Sequence, residues 1–84
     1  MASLDEWYLY SEIVSPDYAE SLDENFKGII IVCRDVCEPI GYLEVTRYAF
    51  YFHTNVDEET RYKSLDDLYK EYDNNLTLRL LEFK

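Results

Sequence analysis

The 84 residues of this chain fit one domain, residues 1–84, and a fold of that size buries little more than half the surface its unfolded form exposes. Eighteen acids against eight bases give a formal charge of −10, which repels phosphate backbones and anionic lipid headgroups and so argues against direct binding to nucleic acid or a membrane surface. Aromatic residues make 17% of the chain, enough ring area to supply a core and too much for a disordered one.

The first ten residues carry Asp5 and Glu6 and no basic run, unlike a secretory signal. The longest aliphatic run, residues 29–33, is too short to span a bilayer. The expectation is a cytoplasmic protein, in the host-cell cytoplasm if the chain is phage-encoded. Cys33 and Cys37 stand C-x-x-x-C, without the C-x-x-C spacing of redox and zinc hairpins and with no second pair, so they read as ordinary reduced thiols.

In chain order, Trp7, Leu9 and Ser11 alternate with Tyr8, Tyr10 and Glu12, and Ile13 and Val14 follow, which predicts an N-terminal strand. Ser15 can cap a short helix over residues 16–22, with Pro16 at its first position and Tyr18, Ala19 and Leu22 on one side. Residues 28–33 are β-branched and apolar on both faces, as a central strand covered on each side must be. The breakers Pro39 and Gly41 separate it from a third strand over residues 42–45. Residues 48–54 either continue that strand or turn near Thr46 and Arg47 into a fourth; a turn is favoured.

Residues 55–60 read as a polar acidic loop. Leu65, Leu68, Tyr69 and Tyr72 then fall at i, i+3, i+4 and i+7, the spacing of an amphipathic helix. Ser64 at its N-cap with Asp67 three residues on predicts a capping box. Asn74 and Asn75 end the helix, and residues 76–83 alternate as a last strand. The fold class is therefore α+β: a small antiparallel sheet of four to five strands, one amphipathic helix in the C-terminal half and one short N-terminal helix.

The chemistry-bearing residues are sparse. His53 is the one histidine and lies in an aromatic strand with no nucleophile motif, so it reads as a packing or surface residue. Two glycines cannot build a P-loop or a dinucleotide fingerprint. Asp57, Glu58 and Glu59 lack the alternating ligands and central glycine of a calcium loop. No catalytic residue, metal ligand or cofactor is assigned, and the expectation is a protein that is not an enzyme.

The acids cluster. Asp17, Glu20, Asp23 and Glu24 surround the first helix, while Asp57, Glu58, Glu59, Asp66, Asp67, Glu71 and Asp73 follow the loop and the exposed face of the second. Carboxylates four apart on a helix lie about 6 Å apart along its axis, near the advance of two phosphates at about 3.4 Å each. That second patch is the candidate partner-binding surface. The partner it implies is a protein with a basic surface, a nucleic-acid-handling enzyme. Nine tyrosines add rigid, hydroxyl-bearing area suited to contact.

A short acidic chain of this kind resembles in type the small inhibitors made by phages and mobile elements, including anti-CRISPR, anti-restriction and DNA-mimic proteins. A different resemblance is carried by Trp7-Tyr8, Ala19-Glu20-Ser21-Leu22, Ile31-Val32-Cys33-Arg34 and residues 62–69, which are similar in order to the landmarks of SH2 domains. It implies a phosphotyrosine-peptide-binding domain in which Arg34 is buried and grips the phosphate bidentately. The sequence departs from that family at Pro16, where the first helix should carry a basic residue.

Overall fold

A computed structural model of the chain describes residues 4–35, 38–54, 59–72 and 75–83. In chain order these form α1 (Leu4–Tyr10), β1 (Glu12–Val14), α2 (Pro16–Glu20), β2 (Gly28–Arg34), β3 (Glu38–Val45), β4 (Phe50–Thr54), β5 (Glu59–Tyr62), α3 (Leu65–Glu71) and β6 (Leu76–Glu82). The strands make one six-stranded sheet in the order β1-β6-β2-β3-β4-β5, with every neighbouring pair antiparallel. The α+β class is as expected, but the described residues form six strands rather than four or five, and three helices rather than two.

β2 lies between β6 and β3, and its apolar residues divide by parity. Ile30 and Val32 join Ala19, Leu43, Phe50, Phe52, Leu65, Leu68 and Leu78 in the larger core, under α2 and α3. Ile29, Ile31 and Cys33 form the smaller core on the opposite face, where Leu4, Trp7 and Tyr8 of α1 cover them. A strand apolar on both sides thus has a helical layer on each face.

The N-terminal strand expected from residue 7 is instead α1 followed by the short β1. Leu4, Trp7 and Tyr8 fall at i, i+3 and i+4, and that stripe has a bare sheet face to cover, which the alternation over residues 7–11 did not register. Ser11, buried between the two elements, marks the change: its Oγ donates to the Tyr8 carbonyl at 2.7 Å.

β3 begins at Glu38 and passes through Pro39 and Gly41, the two residues expected to break it. A register shift between Val32 and Cys33 places Cys33 opposite Pro39, so the proline sits at a bulge. Gly41 is needed within the strand because a Cβ there would collide with the His53 carbonyl and come within 2.6 Å of Phe52 Cε1. The favoured turn near Thr46 is present without any glycine. Thr46 supplies it, its Oγ1 donating to the Ala49 carbonyl at 2.7 Å and accepting from the Ala49 N–H at 3.2 Å.

Glu59 and Thr60, assigned to a loop, open β5, whose register on β4 pairs Glu59 with His53 and Thr60 with Phe52. Alternating neighbours Phe50 and Phe52 offer a ladder that a polar segment can join as an edge strand. α2 ends at Glu20, two residues earlier than expected, although Leu22 still packs on the larger core.

Candidate interaction surface

α2 starts as its sequence dictates: Ser15 is extended, its Oγ accepts from the Tyr18 N–H at 3.2 Å, and Pro16 takes a first-turn position. Ala19 is fully buried and Tyr18 is half exposed. α3 buries Leu65 and Leu68, while Tyr72 meets Phe52 edge-on at 6.3 Å. Its cap is not the expected box. Ser64 is extended, but its side chain makes no capping bond; the Leu65 N–H donates instead to Glu20 Oε1, at 2.5 Å.

That bond crosses 45 residues of sequence and joins the two helices on one face of the sheet. Glu20 of the first acidic group is thereby brought to the start of α3, beside the first turn that carries Asp66 and Asp67 of the second. Asp17 and Glu20 of α2 and Asp66, Asp67 and Glu71 of α3 are all exposed. Glu71 raises the pKa of Tyr62 above its ordinary 10.0, second to burial and ahead of Tyr72, so its charge is felt at the sheet below. Tyr69 of α3, half-buried, is raised by burial alone.

Glu59 does not share this face. Through its pairing with His53 it lies on the α1 side of the sheet, where Glu59 Oε2 is 3.9 Å from His53 Nδ1 and Glu44 Oε1 is 2.7 Å from His53 Nε2. The His53 ring stacks on Tyr42 at 4.8 Å, the packing position expected of it. Asp57, Glu58 and Asp73 lie outside the described residues, as does Cys37. Cys33 is buried.

Arg34 ends β2 on the surface, exposed rather than buried as the SH2 resemblance implies. It borders an open cleft of about 310 Å³ shared with Glu71, Tyr72 and Asn75. The next residue, Asp35, has φ of 57° and is held by the Asn75 amide, whose Nδ2 donates to Asp35 Oδ1 at 2.5 Å. Asparagine and aspartate tolerate that left-handed conformation better than other side chains.

Among the described residues, no group of three or more His, Cys, Asp or Glu is placed to hold a metal ion, and no helix is long and apolar enough to cross a membrane. Compared with known proteins, the chain matches no family model, no curated protein and no solved structure.

Proposed function

We propose that this chain is a non-catalytic binding protein, a small acidic inhibitor of the phage or mobile-element type, which blocks a basic nucleic-acid-binding site on a target protein. One observation carries the reading. α2 and α3 share a face and are tied by the Glu20 to Leu65 bond, which brings Glu20 to the start of α3, where Asp66 and Asp67 are exposed, while Asp17 and Glu71 are exposed on the same two helices. Exposed carboxylates carried on two sheet-backed helices offer a basic groove negative charge with less flexibility than a phosphate backbone.

Arg34 gives less support to the phosphopeptide alternative, because it is exposed and Glu71 borders the same cleft, where its charge opposes a bound phosphate.

The test is capture of partners from a native lysate by the immobilised chain, with elution by rising salt and competition by duplex DNA and by a phosphotyrosine peptide. The expected catch is a nucleic-acid-binding protein that salt releases and duplex DNA displaces. The triple variant Asp66→Lys, Asp67→Lys, Glu71→Lys should not capture it. Capture that survives the triple reversal and also ~1 M salt, where the Debye length falls to about 3 Å, would rule out an electrostatic decoy. Displacement by the phosphopeptide and loss in Arg34→Ala would transfer the site to the Arg34 cleft.

A further inference from the structure

Arg34, Glu71, Tyr72 and Asn75 line one cleft, where the ends of β2 and α3 meet the start of β6. Asp35, with its φ of 57°, is bound there through both its backbone and its side chain. Its N–H donates to the Asn75 carbonyl at 3.1 Å, its Oδ1 accepts from Asn75 Nδ2, and its carbonyl accepts from Thr77 Oγ1. The Asn75 N–H in turn donates to the Tyr72 carbonyl at 3.0 Å. The backbones that carry Arg34 and Glu71 are thereby stitched to each other and keep their spacing.

The charges in this cleft are unpaired. In a chain of net charge −10 an arginine has acids in excess to pair with. Yet among the described residues the Arg34 guanidinium makes no ion pair, hydrogen bond or ring contact, and Glu71 makes no ion pair. Opposite charges that border one small cleft without joining leave room for a ligand that carries both. A phosphate or a simple carboxylate would satisfy Arg34 and be opposed by Glu71, and a simple ammonium would reverse the mismatch. Tyr72 adds a wall fixed by its edge-on contact with Phe52 at 6.3 Å, and an aromatic ring beside a carboxylate suits both an ammonium group and an apolar side chain.

We propose that this cleft binds a free α-amino acid with an apolar side chain, its carboxylate on Arg34, its ammonium on Glu71 and its side chain along the Tyr72 ring. The planar guanidinium matches a carboxylate with two parallel hydrogen bonds. A volume of about 310 Å³ lies at the low end of the ~300–1,000 Å³ of small-molecule sites, which suits a ligand of few atoms. Arg34 and Glu71 are both exposed, so solvent screens both contacts and the dissociation constant falls at about 1 mM. Binding in this cleft needs no partner protein and does not depend on what the acidic residues of α2 and α3 contact.

Titration of the isotope-labelled full chain with L-leucine, followed by amide NMR, tests this. The shifts should concentrate at Arg34, Asp35, Glu71, Tyr72 and Asn75. N-acetyl-L-leucine, which lacks the ammonium, and L-leucine methyl ester, which lacks the carboxylate, should each bind at least about tenfold more weakly. Two variants should then change the selectivity in opposite directions, which a loss of fold could not do. Glu71→Gln should improve N-acetyl-L-leucine relative to L-leucine, and Arg34→Gln should improve the methyl ester relative to L-leucine. A spectrum unshifted at ~10 mM L-leucine, equal affinity for L-leucine and both analogues, or binding unchanged in Arg34→Gln overturns the proposal. So does tighter binding of phosphoethanolamine than of L-leucine, which would assign the cleft to a zwitterionic headgroup instead.

Discussion

At the scale of single residues, two side chains explain more than their types suggest. Arg79 donates from Nε to Ser11 Oγ at 2.8 Å and from Nη2 to the Ser11 carbonyl at 2.6 Å, while its guanidinium lies over Tyr8. One arginine thus fixes the joint between α1 and β1, and a lysine there could not make the forked contact. Tyr62 carries a pH signature. Burial first, then the charge of Glu71, then Tyr72, raise its hydroxyl above the ordinary 10.0. The unfolded chain therefore releases this proton before the folded one does, so stability is complete below about pH 10 and falls as pH rises through the folded value. Tyr69 adds to the same loss. Thermal unfolding followed across this alkaline range should show the decline, smaller in Tyr62→Phe and smaller again in the double variant with Tyr69→Phe. A wild-type profile that stays flat through pH 11 would contradict the burial of both hydroxyls.

At the scale of elements, local signals located what local chemistry governs. The Ser15-Pro16 start of α2, the branched run of β2 and the i, i+3, i+4, i+7 stripe of α3 were legible because each is fixed by backbone preference or by one buried face. α1 was not, because Trp7 and Tyr8 satisfy an alternating and a helical pattern alike, and only the bare face above Ile29, Ile31 and Cys33 decides between them. β5 was hidden for the opposite reason: its residues are polar, and its place at the edge comes from pairing with β4. The acidic residues of α2 and α3 were visible as two groups, but the tie between the two helices through Glu20 had no local sign, since the bond joins residues 45 apart. That bond predicts an unusual hierarchy of caps. Glu20→Ala, at a distance from α3 in sequence, should lower stability by about 1 kcal/mol, equivalent to roughly 4–8 °C in a domain of this size. Glu20→Gln, which keeps an acceptor oxygen, should cost less. Ser64→Ala should cost less than Glu20→Ala although it stands at the N-cap, because the Ser64 side chain holds no cap bond. Calorimetry of the three variants checks the order, and Ser64→Ala proving the most harmful would refute it.

For the whole molecule, the question is whether the acids serve stability, solubility or contact, and Glu71 separates these. Asp66 and Asp67 stand in the first turn of α3, where the helix dipole favours negative charge, so their presence is explained by the helix alone. Glu71 is the last residue of α3, at the end the dipole makes negative, and it also holds the proton on Tyr62 by repulsion. In a chain of net charge −10, an acid at that position works against the fold through the dipole and through the field of the other carboxylates. Reversal by Glu71→Lys should therefore stabilise the protein by about 0.3–1 kcal/mol at low ionic strength, with the gain shrinking as salt is added. The same substitution should weaken binding to a basic partner and bring the Tyr62 pKa down toward its ordinary value. Stability and binding moving in opposite directions is the pattern of a charge held for contact at a cost to the fold. If Glu71→Lys instead lowers the melting temperature at low salt, the residue is structural, and the acidic face loses the one member that the helix itself does not explain.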